Sequence, residues 1–208
     1  MSFDWRHFFK KEPAHHGYDA HKTILGKIWH FLAHDESWLS FIVDAVLVLI
    51  IGQFIIIPAF GAAFGTQFPF VAVVSSSMDH HNLEFKEWWQ ENGGRYQDYN
   101  ITKEQFQTFY KSNGFQRGDA FVVFGLKSHP PEIGDVLVFA VAGRSDPIIH
   151  RLVAVNADGT YQTKGDANAD QFAFEKSITA EQVKGKAVAW APYLGWPKTL
   201  FTDAVAGI

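Results

Sequence analysis

Hydrophobic and polar positions follow three different periods along the chain. Residues 45–64, AVLVLIIGQFIIIPAFGAAF, run with Gln53 as their one strongly polar member. At about 1.5 Å of rise per residue such a run reaches about 30 Å, the depth of a hydrocarbon core. A buried soluble helix is usually about 10 to 14 residues long and amphipathic, and this segment has no polar face. It predicts a membrane-spanning helix, with Asp44 near one interface and Pro58 toward the other end. Ahead of it, Ile24, Leu25, Ile28, Trp29, Phe31 and Leu32 fall at helical spacing among Lys22, Lys27, His30 and His34. Residues 21–38 therefore predict an amphipathic helix lying on the membrane interface, anchored by Trp29 and Trp38. The first 19 residues read as a polar tail carrying His7, His15 and His16.

Beyond the span the period drops to two. FPFVAVV at 68–74 predicts a strand that delivers Ser75, Ser76 and Ser77. AFVVF at 120–124, VLVFAV at 136–141, IIHRLVAV at 148–155 and TYQTK at 160–164 predict further strands, most of them entered through Gly-Asp or Asp-Gly turns. Between 83 and 112 helical spacing returns, first through Leu83, Phe85, Trp88 and Trp89. After a break at Asn92, Gly93 and Gly94, a Thr102 to Gln105 capping pair leads into Phe106, Phe109 and Tyr110. The fold class expected is mostly β. A tail and interfacial helix occupy 1–37, a transmembrane helix 38–65, and an antiparallel β domain 66–208 with a helical insertion at 79–116.

Charge adds an orientation. Arg6, Lys10, Lys11, Lys22 and Lys27 precede the span, and no Lys or Arg follows it until Lys86. The positive-inside rule places the N-terminus in the cytoplasm and 66–208 outside a cell membrane crossed once. The span also starts too late and runs too long for a secretory signal peptide. A formal net charge of -4 supplies no cationic excess for a nucleic-acid backbone. The absence of cysteine removes thiol nucleophiles and thiolate metal sites. A hydrolase built from what remains must activate a hydroxyl with a base and orient that base with a carboxylate. The candidates are the serine cluster, His150 in a strand, and the GDANAD turn with Asp166 and Asp170. His80 and His81 with nearby carboxylates are a zinc alternative, although no HExxH pattern exists. Lys164 is an alternative base.

Taken in order, these boxes resemble the signal peptidase I family in its archaeal and endoplasmic-reticulum form, over most of 38–200. The family's Ser-Gly-Ser-Met box is matched by Ser75, Ser76, Ser77 and Met78, with Ser76 in place of the glycine. GDVLVF at 134–139, IIHR ending at 151, TKGDANAD at 163–170 and PYLGW at 192–196 follow in family order. The resemblance implies a membrane-bound serine endopeptidase that removes signal peptides from exported preproteins at a small-residue site. Ser77 would be the nucleophile and His150 the base, with Asp170 the orienting acid and Asp166 a supporting residue. Ser75 and Met78 would flank the oxyanion and substrate. No cofactor or metal is implied. The partners implied are preproteins, the lipid bilayer and the protein translocation channel, with no nucleic acid. A non-catalytic subunit of an export or processing complex is the alternative, disfavoured by the complete serine, histidine and aspartate set.

The topology is directly testable. In intact cells or spheroplasts, protease should reach a C-terminal tag and spare an N-terminal one; the reverse pattern would invert the orientation.

Overall fold

The computed structural model describes residues 23–34, 37–127, 130–144 and 146–206. The His-rich tail, Lys22 and the start of the expected interfacial helix lie outside them. The described chain divides into two units at residue 54. In the first, helix α1 (Ile24–His34) is followed by α2 (Trp38–Ile51), whose N-terminus is capped by the Ser37 hydroxyl accepting the Ser40 N–H. The Ser40 hydroxyl donates to the Phe31 carbonyl at 2.7 Å and ties the two helices together. Of the apolar residues expected on the interfacial face, Ile24, Leu25, Ile28 and Trp29 are exposed, whereas Phe31 and Leu32 are half-buried.

Helix continues from Trp38 to Phe64, 27 residues that are almost wholly unburied. Among the described residues it is the one helix long and apolar enough to cross a membrane. It contains a π turn, Gly52–Ile56, before resuming as α3 (Ile57–Phe64). Pro58 opens α3, and the wider turn ahead of it accommodates a residue without an N–H whose ring crowds the carbonyl four residues back. Gly65 ends the helix in the left-handed conformation at φ 68°.

The second unit is organised around one antiparallel sheet. Its six described strands are β1 (Phe70–Ala72), β2 (Ala120–Phe124), β3 (Val136–Phe139), β4 (Ile148–Val155), β5 (Tyr161–Lys164) and β6 (Val183–Ala191), in the order β1-β2-β6-β3-β4-β5. Five of them fall within the strands read from periodicity, β1 as a shorter piece of 68–74. β6 has no counterpart among them: two lysines and a glycine interrupt the apolar residues of VKGKAVAWA. It is nevertheless an inner strand, paired with β2 and β3. Gly185, at φ 153°, lies so close to the Phe124 carbonyl that a Cβ would sit 2.3 Å from it. Lys186 survives there by ion-pairing with Asp135 at 2.9 Å. Downstream, PYLGW, which the resemblance implies as a terminal strand, is instead a turn whose Trp196 opens helix α7 (Trp196–Ala206). With helical content at 38% among the described residues, mostly β describes the sheet unit and not everything described.

Both faces of the sheet are covered. Val71, Phe121, Val123, Val136, Val138, Ile149 and Ala187 pack on one side with Met78 and Phe115, and Leu137, Phe139, Leu152, Ile178 and Val183 form another core. The 79–116 insertion folds as α4 (Phe85–Asn92), α5 (Gly94–Gln97) and α6 (Lys103–Gln107), the last capped by Thr102 as its sequence foretold. Its Trp88, Trp89, Tyr96, Ile101 and Phe106 form a third core that closes on Val153 of β4. The insertion is therefore a packed layer and not a loose flap. Trp88→Ala should lower stability by about 3–5 kcal/mol, the usual cost of removing a large buried aromatic; a denaturation curve unchanged from wild type would show that this layer contributes little.

Candidate active site

Strand β1 ends at Ala72, and the chain then turns through Ser75, Ser76 and Ser77. Ser76 is not among the residues with positive φ, so a side chain costs no backbone strain where the family box has glycine. The Ser77 carbonyl accepts the Ala167 N–H at 2.8 Å, and the Met78 carbonyl accepts the Phe115 N–H at 3.0 Å. These bonds hold the turn from two sides. The Ser77 Oγ lies 2.8 Å from Nε2 of His150 and 3.1 Å from the Ser75 hydroxyl.

His150 lies in β4 directly opposite Leu137 and is 4% exposed. Its Nδ1 is 2.5 Å from Oε1 of Glu175. With Nδ1 donating to that carboxylate, Nε2 is free to accept the Ser77 proton, the tautomer a general base needs. Glu175 is fully buried. Thr163 donates its hydroxyl to Oε1 at 3.3 Å, and Phe172 donates its N–H to Oε2 at 2.8 Å. A hydroxyl, an imidazole and a carboxylate thus form a continuous relay.

The carboxylate in that relay is not the one the sequence suggested. Asp170 is exposed and binds the Gln171 N–H at 2.7 Å, on the outside of the turn. The chain has to run on into the 3-10 turn Ala173–Glu175 before a carboxylate comes under His150. The one signal in the sequence was compositional: Glu175 stands beside Phe172 and Phe174 in QFAFE. A charge in such surroundings needs a partner.

Asp166 faces the other way, because Arg151, next to His150, points to the opposite side of the sheet. Arg151 donates to Asp166 from Nε at 3.0 Å and from Nη2 at 2.7 Å. Tyr96 donates its hydroxyl to Asp166 at 2.7 Å, and Nε2 of His80 lies 3.0 Å away. Burial alone would raise the Asp166 pKa, but the Arg151 charge and the hydrogen bonds from His80 and Arg151 hold it well below the usual carboxylate range. The Tyr96 phenol is pushed well up, by burial first and then by Asp166. Lys164, opposite Arg151, points its amine at the carbonyls of Gly165 and Asn168, at 3.0 and 2.6 Å. Burial lowers its pKa to about 8, yet its bonds bind the turn and not Ser77. Met78 is buried, its sulfur accepting the Asp166 N–H at 3.3 Å; it packs the core and does not line the cleft. His80 is likewise committed to Asp166, and among the described residues no group of three or more His, Asp or Glu is placed to hold a metal ion.

A cleft of about 290 Å³ opens at Ser77 and His150. Ala72, Val74, Pro147 and Ile148 give it small apolar walls, and Phe172 and Phe174, stacked at 5.3 Å, form a side. Arg144 and Asp146 are its charged lining residues.

Because the Asp166 pKa is depressed on folding, its contribution to stability is present above the ordinary aspartate value of about 4 and is lost as pH falls through the lower folded value. Asp166→Asn, which strands a buried guanidinium, should cost about 3–5 kcal/mol at neutral pH. The gap from wild type should narrow in melts below about pH 4; a gap independent of pH would contradict the ion-pair account.

No family model matches the chain. Curated relatives do. The signal peptidase complex catalytic subunit SEC11C of dog and of human is 32% identical over 98 residues, covering 43% of this chain and 51% of theirs. The SEC11 catalytic subunit of Candida albicans is 30% identical over 104 residues, covering 44% of this chain and 60% of its own. The chain thus spans about half the length of the first of these relatives. Its homologues include catalytic subunits of signal peptidase complexes.

Proposed function

We propose that the chain is a membrane-anchored serine endopeptidase that removes N-terminal signal peptides from exported preproteins. The observation that carries this reading is the relay of Ser77, His150 and Glu175, at 2.8 and 2.5 Å, beside a cleft walled in part by apolar residues. Ser77 attacks the scissile carbonyl as His150 takes its proton. The imidazolium so formed is balanced by Glu175 and then protonates the leaving amine. Water repeats the sequence on the acyl-enzyme. The Ser77 N–H, helped by the Ser75 hydroxyl, stabilises the oxyanion.

The apolar helix anchors the enzyme in the membrane across which preproteins emerge from the translocation channel. The N-terminus is cytoplasmic and the sheet unit extracytoplasmic in a single-pass topology. A closed relay favours an enzyme over a non-catalytic subunit, which has no use for a buried carboxylate under a histidine.

Cleavage of a model preprotein in detergent tests the assignment. Ser77→Ala should abolish processing while the protein still folds. Glu175→Gln should lower the rate by about 100-fold or more, the usual weight of a general-base relay, whereas Asp170→Asn should stay near wild type. Full activity in Ser77→Ala would falsify the serine mechanism, and a dead Asp170→Asn beside an active Glu175→Gln would return the orienting role to Asp170.

A further inference from the structure

The 79–116 insertion does more than pack against the sheet. Asp166 receives four hydrogen bonds: two come from Arg151 and the other two from the insertion, through the Tyr96 hydroxyl at 2.7 Å and His80 Nε2 at 3.0 Å. Both insertion residues are held by aromatic contacts. His80 stacks on Trp88 with centroids 3.7 Å apart and planes within 4°, and Tyr96 meets Phe106 edge-on at 4.7 Å. Gly114 lets the insertion's return pass flat against His80, since a Cβ there would lie 2.5 Å from the imidazole.

The same short turn touches the nucleophile. The Asp166 N–H binds Met78 and the Ala167 N–H binds the Ser77 carbonyl. Gly165 lies so near that a Cβ would sit 2.8 Å from that carbonyl oxygen. Whatever fixes the Asp166 carboxylate therefore fixes the backbone behind Ser77. Arg151 fixes it from the His150 strand, and its remaining N–H groups bind the carbonyls of Tyr110 and Lys111 in the insertion and of Gly134. We infer that His80 and Tyr96 are positioning residues: through Asp166 they set the distance between Ser77 and His150. An error of about 1 Å in such a distance can cost about 100-fold in rate. The inference rests on the serine-peptidase reading.

Single-turnover cleavage, with the full-length chain in detergent and in excess over a fluorescent preprotein, separates positioning from simple stability. The saturating rate reads the chemical step whatever fraction of chains is folded, whereas the half-saturating concentration reads binding and the folded fraction. Tyr96→Phe keeps the ring and loses only the hydroxyl; it and His80→Ala should each lower the saturating rate about tenfold, the scale of one hydrogen bond to a charged group. The half-saturating concentration should change by less than about twofold in both. His80→Gln, whose amide can still donate to Asp166, should recover most of the rate. Wild-type saturating rates in both Tyr96→Phe and His80→Ala would overturn the inference, as would losses confined to half-saturation or a His80→Gln as slow as His80→Ala. If wild-type cleavage itself survives Ser77→Ala, the peptidase reading fails first.

Discussion

The buried ion pair of Arg151 and Asp166 is the contact on which the rest of the site depends. Two charges taken out of water are a net liability unless every donor and acceptor is met. Here they are. The guanidinium makes its five N–H bonds, two to Asp166 and three to the carbonyls of Tyr110, Lys111 and Gly134. Asp166 in turn takes the bonds from Tyr96 and His80. One residue on β4, one on the turn after β5 and several in the insertion can be satisfied together only in the native arrangement. The pair therefore specifies how three distant segments meet, more than it adds to stability.

Strand alternation turns that constraint into chemistry. His150 and Arg151 are neighbours on β4, and successive strand residues face opposite sides of a sheet. Arg151 locks the insertion side, and in doing so it holds β4 in the register that presents His150 to Ser77 and Glu175 on the other side. A slip of one residue would exchange the two faces and bury a guanidinium where the base belongs. The sheet's packing on both sides, with β3 buried along its whole length, makes such a slip costly.

The two halves of the relay are held differently. Ser77 sits on a turn with few backbone bonds of its own and depends on Ala167 and Phe115 for its place. Glu175 sits in a 3-10 turn where one oxygen caps the chain and the other serves the histidine. Its burial among Phe172, Phe174 and Thr163 excludes water from the carboxylate and strengthens its hold on the imidazole.

Local pattern sufficed for much of this molecule. The apolar helix, five of the strands and the helical insertion with its Thr102 cap could all be read from periodicity and turn residues, since each is written in one continuous stretch of chain; Ser77 and His150, which the family resemblance singled out, are the pair that the structure brings together. Tertiary structure decided the rest. β6 is an inner strand because Asp135 neutralises Lys186 and Gly185 lets Phe124 approach, contacts made across more than 50 residues. The acid under His150 is Glu175 and not Asp170 because the chain leaves the Gly-Asp turn with Asp170 facing solvent and returns to the histidine only at the 3-10 turn. Which carboxylate reaches an imidazole 25 residues away depends on how the intervening turn packs, and that packing is a property of the assembled core, not of spacing along the chain.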